Sequence, residues 1–270
     1  MAEDLAILKP SLYGIGLNLN EVWRRFRGRN DLRSLAARRF LQVFEDHGVQ
    51  PTQIPRFLPE ITLAELDPNS LLDVISGALL ARTAALFGIR REWIEGVGNI
   101  IYPHRFCYKA PSSFFEDLAG LGLDSYSFPM RALYSRKPIE GQAQPLTLIL
   151  VDRIGEIGNE DICRYIVYAD AWDWSHFTSR IQLKAMARMV NRKLGKPVPL
   201  YRVSGKTLTE IRDGKRVPRT ALRGCLLRDP SLEDFGLSEE ESAVAKETDE
   251  LPAVLNYIRK HRLAFAVPRQ

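Results

Sequence analysis

The apolar stretch Leu146-Thr147-Leu148-Ile149-Leu150-Val151 marks the point where the hydrophobic pattern of this chain changes from helical to strand-like. The stretch is far shorter than the roughly 20 apolar residues that a membrane-spanning helix needs, and its length is typical of a buried strand. Residues Ile162–Ala169 are also rich in strand-forming side chains, and Gly155 and Gly158 lie between the two stretches. The sequence therefore predicts two adjacent strands joined by a glycine-containing turn.

The N-terminal half has a different pattern, because residues Leu32–Ala119 repeatedly place apolar side chains at helical spacing. One helix is predicted from Ser34 to Gly48, where glycine accepts a left-handed conformation. A second, longer helix is predicted from Leu71 to Gly88, and Ile89–Glu95 forms one more helical piece. We therefore expect this half to be helical throughout.

The fold class predicted for the whole chain is α+β. Its 270 residues are enough for two domains, and its 45% hydrophobic and 26% charged residues are typical of a folded globular protein. Glycines and prolines are concentrated over residues 120–145, as in a linker. The predicted organisation is an all-helical, helix-turn-helix-like domain over 1–119, a linker over 120–145, and a smaller α+β sensor or dimerisation domain over 146–270.

Three further elements are predicted in the C-terminal half. A long helix follows Ser175, a candidate N-cap. Asp213-Gly214 predicts the turn of a β-hairpin with basic arms, which either contact the DNA backbone or protect an exposed sheet edge. The apolar spacing of Leu251–Leu263 predicts a terminal helix.

The cellular compartment is predicted from the cysteines and from the first residues. Met1–Pro10 alternate acidic and apolar side chains, unlike a signal peptide. Cys107, Cys163 and Cys225 are an odd number at wide spacing, which suits buried thiols in a reducing compartment. We expect a soluble, cytoplasmic protein with no membrane partner.

Basic residues are concentrated in two segments, although the formal net charge is only +5. The first segment is Arg24–Arg39, the second is Lys196–Arg223, and Asp229–Glu250 is strongly acidic. Such segregation is typical of a phosphate-binding surface, and also of a solvated helix face. The residues predicted to contact phosphate are Arg24, Arg25, Arg27, Arg29 and Arg33.

A helix-turn-helix is predicted where Phe40–Gly48 is followed by Gln50–Leu58. The side chains expected to face outward and contact bases are Gln50, Thr52, Gln53 and Arg56. Glutamine pairs with adenine edges, arginine with guanine edges, and threonine with phosphate or a thymine methyl group. Pro51 and Pro55 are tolerable only if the helix begins between them, and Pro59 limits it to little more than one turn.

A second candidate turn lies at Gly88, between Leu80–Gly88 and Ile89–Gly96. Residues Leu71–Ile89 and Trp93–Gly96 resemble the later helix pair of the Xre/Cro-repressor-like family of helix-turn-helix domains. This resemblance covers residues from Ser34 to Gly96. It implies a five-helix fold in which Gln50–Leu58 takes the place of the DNA-recognition helix.

The C-terminal half contains no nucleophile elbow, phosphate loop, His-x-x-x-His or Cys-x-x-Cys. No catalytic residue, metal site or cofactor is therefore predicted, and the protein is not expected to be an enzyme. A metal-dependent nuclease is the one catalytic alternative. Its candidate carboxylates are Asp152, Glu156, Asp161 and Asp170.

A dense group of aromatic and polar residues lies at the predicted strand-to-helix junction. The candidate ligand-binding residues are Tyr168, Trp172, Trp174 and His176. Aromatic walls with a few polar groups suit a cationic or planar small molecule. Alternatively, Trp172 and Trp174 plug the junction and Asp173 caps the helix.

The sequence as a whole favours a DNA-binding transcriptional regulator whose C-terminal half senses a small-molecule ligand or forms a dimer. We expect double-stranded DNA as the partner and a homodimer as the active form, because one short recognition element contacts too few base pairs. The alternative is a non-enzymatic protein-protein interaction module.

Overall fold

A five-stranded sheet is the central element of the computed structural model, which describes residues 32–120, 130–194, 198–223 and 250–263. The fold is α+β, as predicted, with helices first and strands later in the chain. The helices are α1 (Leu32–Asp46), two 3-10 helices (Pro51–Arg56 and Ala64–Leu66), α2 (Pro68–Val74), α3 (Gly77–Phe87), α4 (Arg91–Ile94), α5 (Pro111–Ala119), α6 (Phe177–Leu194), α7 (Gly205–Arg212), α8 (Arg219–Leu222) and α9 (Leu251–Lys260). The strands are β1 (Met130–Tyr134), β2 (Pro145–Ile157), β3 (Glu160–Val167), β4 (Trp172–Asp173) and β5 (Leu200–Arg202).

The strands follow the order β3-β2-β1-β5, and β4 pairs with β2 outside this path. β2 is antiparallel to both neighbours, with Leu150 opposite Met130 on β1 and Ile166 on β3. β5 runs parallel to β1. The two strands predicted from the sequence are therefore confirmed as β2 and β3, and both are longer than the apolar stretches that revealed them.

The sheet carries one hydrophobic cluster on each face, because successive side chains of a strand point to opposite sides. Ile149 and Val151 of β2 belong to the cluster that contains Phe40 and Phe44 of α1. Leu146, Leu148 and Leu150 belong to the other cluster, with Leu183 and Met186 of α6 among its members. The first half of β2, Pro145–Val151, is thus buried on both faces, which explains why it is almost entirely apolar.

The helix predicted from Ser34 to Gly48 is confirmed as α1, and Gly48 follows it with a φ of 91°. The single helix predicted from Leu71 to Gly88 is wrong, since α2 ends at Val74 and α3 begins at Gly77. The break occurs because the Ser76 hydroxyl accepts the backbone N–H of Leu79 (3.2 Å) and caps a new helix.

Part of the predicted linker belongs to the sheet. Residues 130–134 form β1, whose Ala132 and Leu133 are completely buried between β2 and β5. Residues 121–129 of the same predicted linker lie outside the described residues. The hydrophobic cluster around α1 includes residues of both predicted domains, and the boundary between those domains stays a prediction.

The β-hairpin predicted around Asp213-Gly214 is wrong, because residues 205–212 form α7. The Ser204 hydroxyl accepts the backbone N–H of Thr207 (3.1 Å) and begins this helix. Leu208 and Ile211 then lie on its buried face at helical spacing. Asp213-Gly214 does form a turn, but this turn follows α7 and does not join two strands.

Helix α6 begins at Phe177, and Ser175 is not its cap. The hydroxyl and the N–H of Ser175 both donate to Asp173 Oδ1, at 2.7 and 2.9 Å, in the turn before the helix. The terminal helix is confirmed as α9, which contributes Val254 to the core beside α6. Glu250, just before α9, accepts ion pairs from Arg180 and Lys184 of α6, each 2.6 Å long.

The helices in these described ranges include none with the length and apolar character required to cross a membrane.

Two glycines with nearly equal backbone angles allow a matched test of packing. Gly98 and Gly214 have φ values of 67° and 69°. A Cβ on Gly98 would meet nothing within 4 Å, whereas one on Gly214 would lie 2.8 Å from the Tyr102 carbonyl oxygen. We expect Gly98→Ala to lower the free energy of unfolding by about 1 kcal/mol through backbone strain alone. Gly214→Ala should lower it by about 2 kcal/mol more, through overpacking.

Urea denaturation of the two variants measures this difference. Equal losses would show that Tyr102 moves aside without cost and would contradict the prediction.

Candidate functional site

The predicted DNA-recognition segment forms the 3-10 helix Pro51–Arg56, hereafter the short helix. Its inward side chain Ile54 is fully buried, and Leu58 just beyond it is nearly so. The side chains of Gln50, Thr52 and Arg56 are exposed. Three of the four predicted base-contacting residues are therefore accessible to a partner.

Gln53 is the exception among the predicted base-contacting residues. It is half-buried, and its Oε1 accepts the backbone N–H of Gln50 (2.8 Å). Pairing with an adenine edge requires both the amide oxygen and the amide nitrogen of glutamine. Gln53 would have to give up this contact at the start of the short helix to make such a pair.

Two arginines of the C-terminal half lie beside the start of the short helix. The Arg219 guanidinium packs against Gly48, where a Cβ would collide with it. Arg219 and Arg223 both donate to Glu160, at the start of β3. The sequence gives no signal for this neighbourhood, because the two segments are far apart in the chain.

Of the predicted phosphate-contacting residues, only Arg33 lies within the described residues, and it is far from this neighbourhood. Arg33 is exposed at the start of α1, and its Nη2 donates to the Leu72 carbonyl oxygen (2.6 Å). The 15 residues of α1, about 22 Å at the usual helical rise, separate it from the short helix. Arg24, Arg25, Arg27 and Arg29 lie outside the described residues.

Arg39 of the first basic segment supports the fold. Its Nη1 donates to the Trp93 carbonyl oxygen, and its Nη2 donates to that of Gly98 (2.9 Å). The guanidinium also lies 4.9 Å from the centre of the Trp93 ring. In the second basic segment, Arg212 is buried, and its Nη1 donates to Gln142 (2.7 Å). Arg39 and Arg212 therefore stabilise the fold, independently of any role in binding.

A buried histidine lies at the end of α1, directly before Gly48. The ring nitrogen Nδ1 of His47 is 2.6 Å from the Val43 carbonyl oxygen, and Nε2 is 3.1 Å from the Tyr102 hydroxyl. The neutral tautomer that satisfies both contacts donates from Nδ1 and accepts at Nε2. Burial lowers the pKa of His47 to about 4, so the ring is neutral at physiological pH.

The four predicted ligand-binding residues do not enclose one site. Trp172 and Trp174 are buried in the cluster around α6. The Tyr168 hydroxyl is directed to α5, where it donates to Asp117 Oδ2 (2.8 Å). His176 is exposed. Tyr168 also belongs to this buried cluster, so three of the four side chains are packed in the core and His176 lies outside it.

Asp173 stabilises the strand-to-helix junction without capping α6. Its carboxylate accepts the backbone N–H groups of Ala143 (2.9 Å) and Gln144 (3.1 Å), in addition to both Ser175 contacts. These hydrogen bonds keep the pKa of Asp173 below its ordinary value, although partial burial acts in the opposite direction. The carboxylate thus joins the loop before β2 to the turn before α6.

The carboxylates of the nuclease hypothesis are occupied in structural contacts. Asp152 pairs with Arg164 (2.6 Å), and Glu156 and Asp161 both pair with Arg153. Asp170 accepts the backbone N–H groups of Cys107 (2.7 Å) and Tyr108 (3.1 Å). Over residues 32–120, 130–194, 198–223 and 250–263, no three His, Cys, Asp or Glu side chains are grouped to hold a metal ion.

A cleft of about 270 Å³ lies beside β3, at the open edge of the sheet. Its wall is formed by β3, by the segment after Ile101 and by α5. The charged groups on this wall are Arg105, Glu116, Asp117 and Arg164. Sequence patterns did not reveal the cleft, because its residues, which also include Gly88, come from segments that are far apart in the chain.

Comparison of the chain with known proteins finds no match among protein-family models, curated proteins or solved structures.

The acid beside His47 makes a pH-dependent contribution to stability. Burial raises the pKa of Asp46 to about 6, opposed by a hydrogen bond from Gln42, and the nearby Glu45 raises it further. The folded state therefore binds the Asp46 proton more tightly than the unfolded state. The resulting destabilisation is full above about pH 6, and it disappears as the pH falls below the ordinary value near 4.

We expect Asp46→Asn to be more stable than the native protein at pH 7 and equally stable near pH 4, as measured by urea denaturation across this range. Asp73→Asn, which removes an exposed carboxylate on α2, controls for the loss of one negative charge. A stabilisation by Asp46→Asn that persists unchanged at pH 4 would contradict the prediction.

Proposed function

We propose that this protein is a cytoplasmic, DNA-binding regulator of transcription that acts as a homodimer. The DNA-binding surface in this proposal consists of Gln50, Thr52, Arg56, Arg219 and Arg223, hereafter the recognition surface. The observation that carries the proposal is the position of Arg219 against Gly48, in the turn that leads into the short helix. Groups that suit phosphate thereby lie next to groups that suit base edges.

The charge balance of the recognition surface favours an anionic partner. Arg219 and Arg223 share a single carboxylate, that of Glu160, so this group retains one net positive charge. Arg56 adds another exposed guanidinium. A phosphate group binds such a forked guanidinium pair through charge-assisted hydrogen bonds.

The arrangement of helices also supports the proposal. α1 and the short helix are joined by a tight turn through Gly48, and α3 is followed by Gly88 and α4, as in the later pair of Xre/Cro-like domains. In this comparison the short helix occupies the place of the recognition helix.

A homodimer follows from the size of the short helix. Its 6 residues span about 12 Å at the 3-10 rise, which corresponds to only about four base pairs. Two copies on successive half-sites would supply the specificity that one copy lacks.

Retention of genomic DNA fragments by the purified protein tests the proposal. We expect one enriched sequence in native protein pull-downs. Retention of no duplex would overturn the proposal, and enrichment of another protein instead would favour the interaction module. Degradation of the fragments with added magnesium would favour the nuclease alternative.

The double variant Arg219→Glu/Arg223→Glu should weaken binding to every duplex and reduce the slope of log affinity against log salt by about 1 to 2. Arg259→Glu/Lys260→Glu is the matched control, since it reverses two exposed charges on α9, on the other face of the sheet. Fluorescence anisotropy at several salt concentrations gives both quantities. An equal effect of Arg259→Glu/Lys260→Glu would exclude a specific role for the recognition surface.

Sequence preference should depend on the short helix. Arg56→Ala and Thr52→Ala are expected to lose about 1 to 3 kcal/mol of discrimination between the enriched sequence and a scrambled duplex, while binding to the scrambled duplex stays nearly constant. Competition binding measures the ratio. An unchanged ratio in both variants would remove the short helix from sequence recognition.

A further inference from the structure

The open edge of β3 presents backbone groups to the cleft described above. The N–H of Tyr168 donates to the Leu148 carbonyl oxygen of β2 (3.2 Å). Because hydrogen-bonding direction alternates along an antiparallel pair, the N–H and C=O groups of Tyr165 and Val167 point away from β2. Both residues line the cleft. The parallel bridge between Arg105 and Tyr168 takes up the Val167 carbonyl oxygen, which leaves the N–H groups of Tyr165 and Val167 and the Tyr165 carbonyl oxygen without a hydrogen-bond partner in the described ranges.

The edge of β3 is covered by another segment of the chain only around Tyr168 and Ala169. Ala169 donates its N–H to the Arg105 carbonyl oxygen (2.8 Å), where the segment after Tyr102 begins to run parallel to the sheet. The cleft is therefore closed at one end by Arg105 and stays open along Tyr165–Val167. Donors and acceptors of a strand edge are available there to a small extended molecule.

Two side chains of opposite charge also remain available in the cleft. Arg164 uses Nε for Asp152, and its two terminal nitrogens have no partner among the described residues. Glu116 of α5 makes no ion pair within the same part of the chain. By contrast, Asp117 already binds Arg105 and the Tyr168 hydroxyl. The unused groups are thus one guanidinium fork and one carboxylate.

The size and the remaining wall restrict the ligand further. The volume of about 270 Å³ is below the roughly 300–1,000 Å³ that drug-sized ligands occupy. Pro103, Ile166 and Val167 supply an apolar part of the wall. A molecule that matches these features is small and bears one anion, one cation and an apolar group.

We propose that the cleft beside β3 binds a free α-amino acid with an apolar side chain. Its carboxylate is held by Arg164 and one outward N–H of β3, and its ammonium group is held by Glu116 and the outward Tyr165 carbonyl oxygen. The apolar side chain packs on Pro103 and Ile166. This site is independent of the recognition surface, and its occupancy is measured without DNA.

The experiment uses thermal unfolding of the full chain with each standard amino acid at millimolar concentration, followed by titration calorimetry of those that bind. We expect one or a few apolar amino acids to raise the melting temperature, because a ligand of the native state stabilises it. The same amino acid with an acetylated amine, or with its carboxylate converted to an amide, should bind about 10-fold more weakly or worse.

Glu116→Gln should weaken binding of the amino acid by about 10-fold and leave the affinity of its N-acetyl derivative nearly unchanged. Arg164→Gln should show the complementary pattern with the amide. Asp73→Asn, an exposed acid outside the cleft, is the control and should bind like the native protein.

The absence of binding by every amino acid would overturn the proposal, as would equal affinity for the blocked derivatives. The blocked derivatives are tested on the native protein, so this result does not depend on whether the variants fold. Failure here leaves DNA binding unaffected, and failure of DNA binding leaves the calorimetric result intact.

Discussion

Burial of β2 on both faces is the constraint on which the rest of the structure depends. Ile149 and Val151 belong to the hydrophobic cluster that includes α1, and Leu148 and Leu150 belong to the cluster that includes α6. A fully buried side chain of this kind contributes about 1.5–3 kcal/mol relative to an exposed one. Neither helical layer could dock if the strand shifted by one residue, because every side chain would then change face. The register of β2 therefore sets the position of both layers.

The position of the helical layer in turn creates the two candidate sites. With α1 packed on the sheet, His47 stacks on Tyr165 of β3 and accepts a hydrogen bond from Tyr102. Gly48 then lies beside Arg219, next to the short helix. On the other side of Tyr102, the gap between the helices and the edge of β3 becomes the cleft. Both sites are consequences of one docking geometry.

The sequence was most informative where local signals and burial agree. α1, the β2–β3 pair and α9 were all predicted, because each combines a strong hydrophobic period with a suitable terminus or turn. Asp213-Gly214 misled because a turn dipeptide does not reveal what precedes it. There, Ser204 and the buried pair Leu208 and Ile211 favour a helix. β1 was missed since its pairing with β2 and β5 is non-local.

The candidate sites were harder to predict than the fold. The exposure of Gln50, Thr52 and Arg56 follows from local spacing, because Ile54 and Leu58 must face inward. No local pattern could show that Arg219 lies against Gly48, or that Tyr102 binds His47. The aromatic residues at the strand-to-helix junction were predicted to bind a ligand because several of them lie close together in the sequence. Its tryptophans are dense because they fill the space between β2 and α6.

The contact between Phe57 and Gly155 has a consequence for how such a protein can change over time. Gly155 follows an irregularity in the β2–β3 pairing, and a Cβ there would lie 2.7 Å from the Phe57 ring. The Phe57 ring, just after the short helix, thus fills the space that the absence of a side chain at Gly155 leaves beside the β2–β3 pair. Exchange of either half for a foreign sequence would leave an unfilled hollow or a steric clash. The two halves must vary together, and recombination between distant homologues would be selected against at this seam.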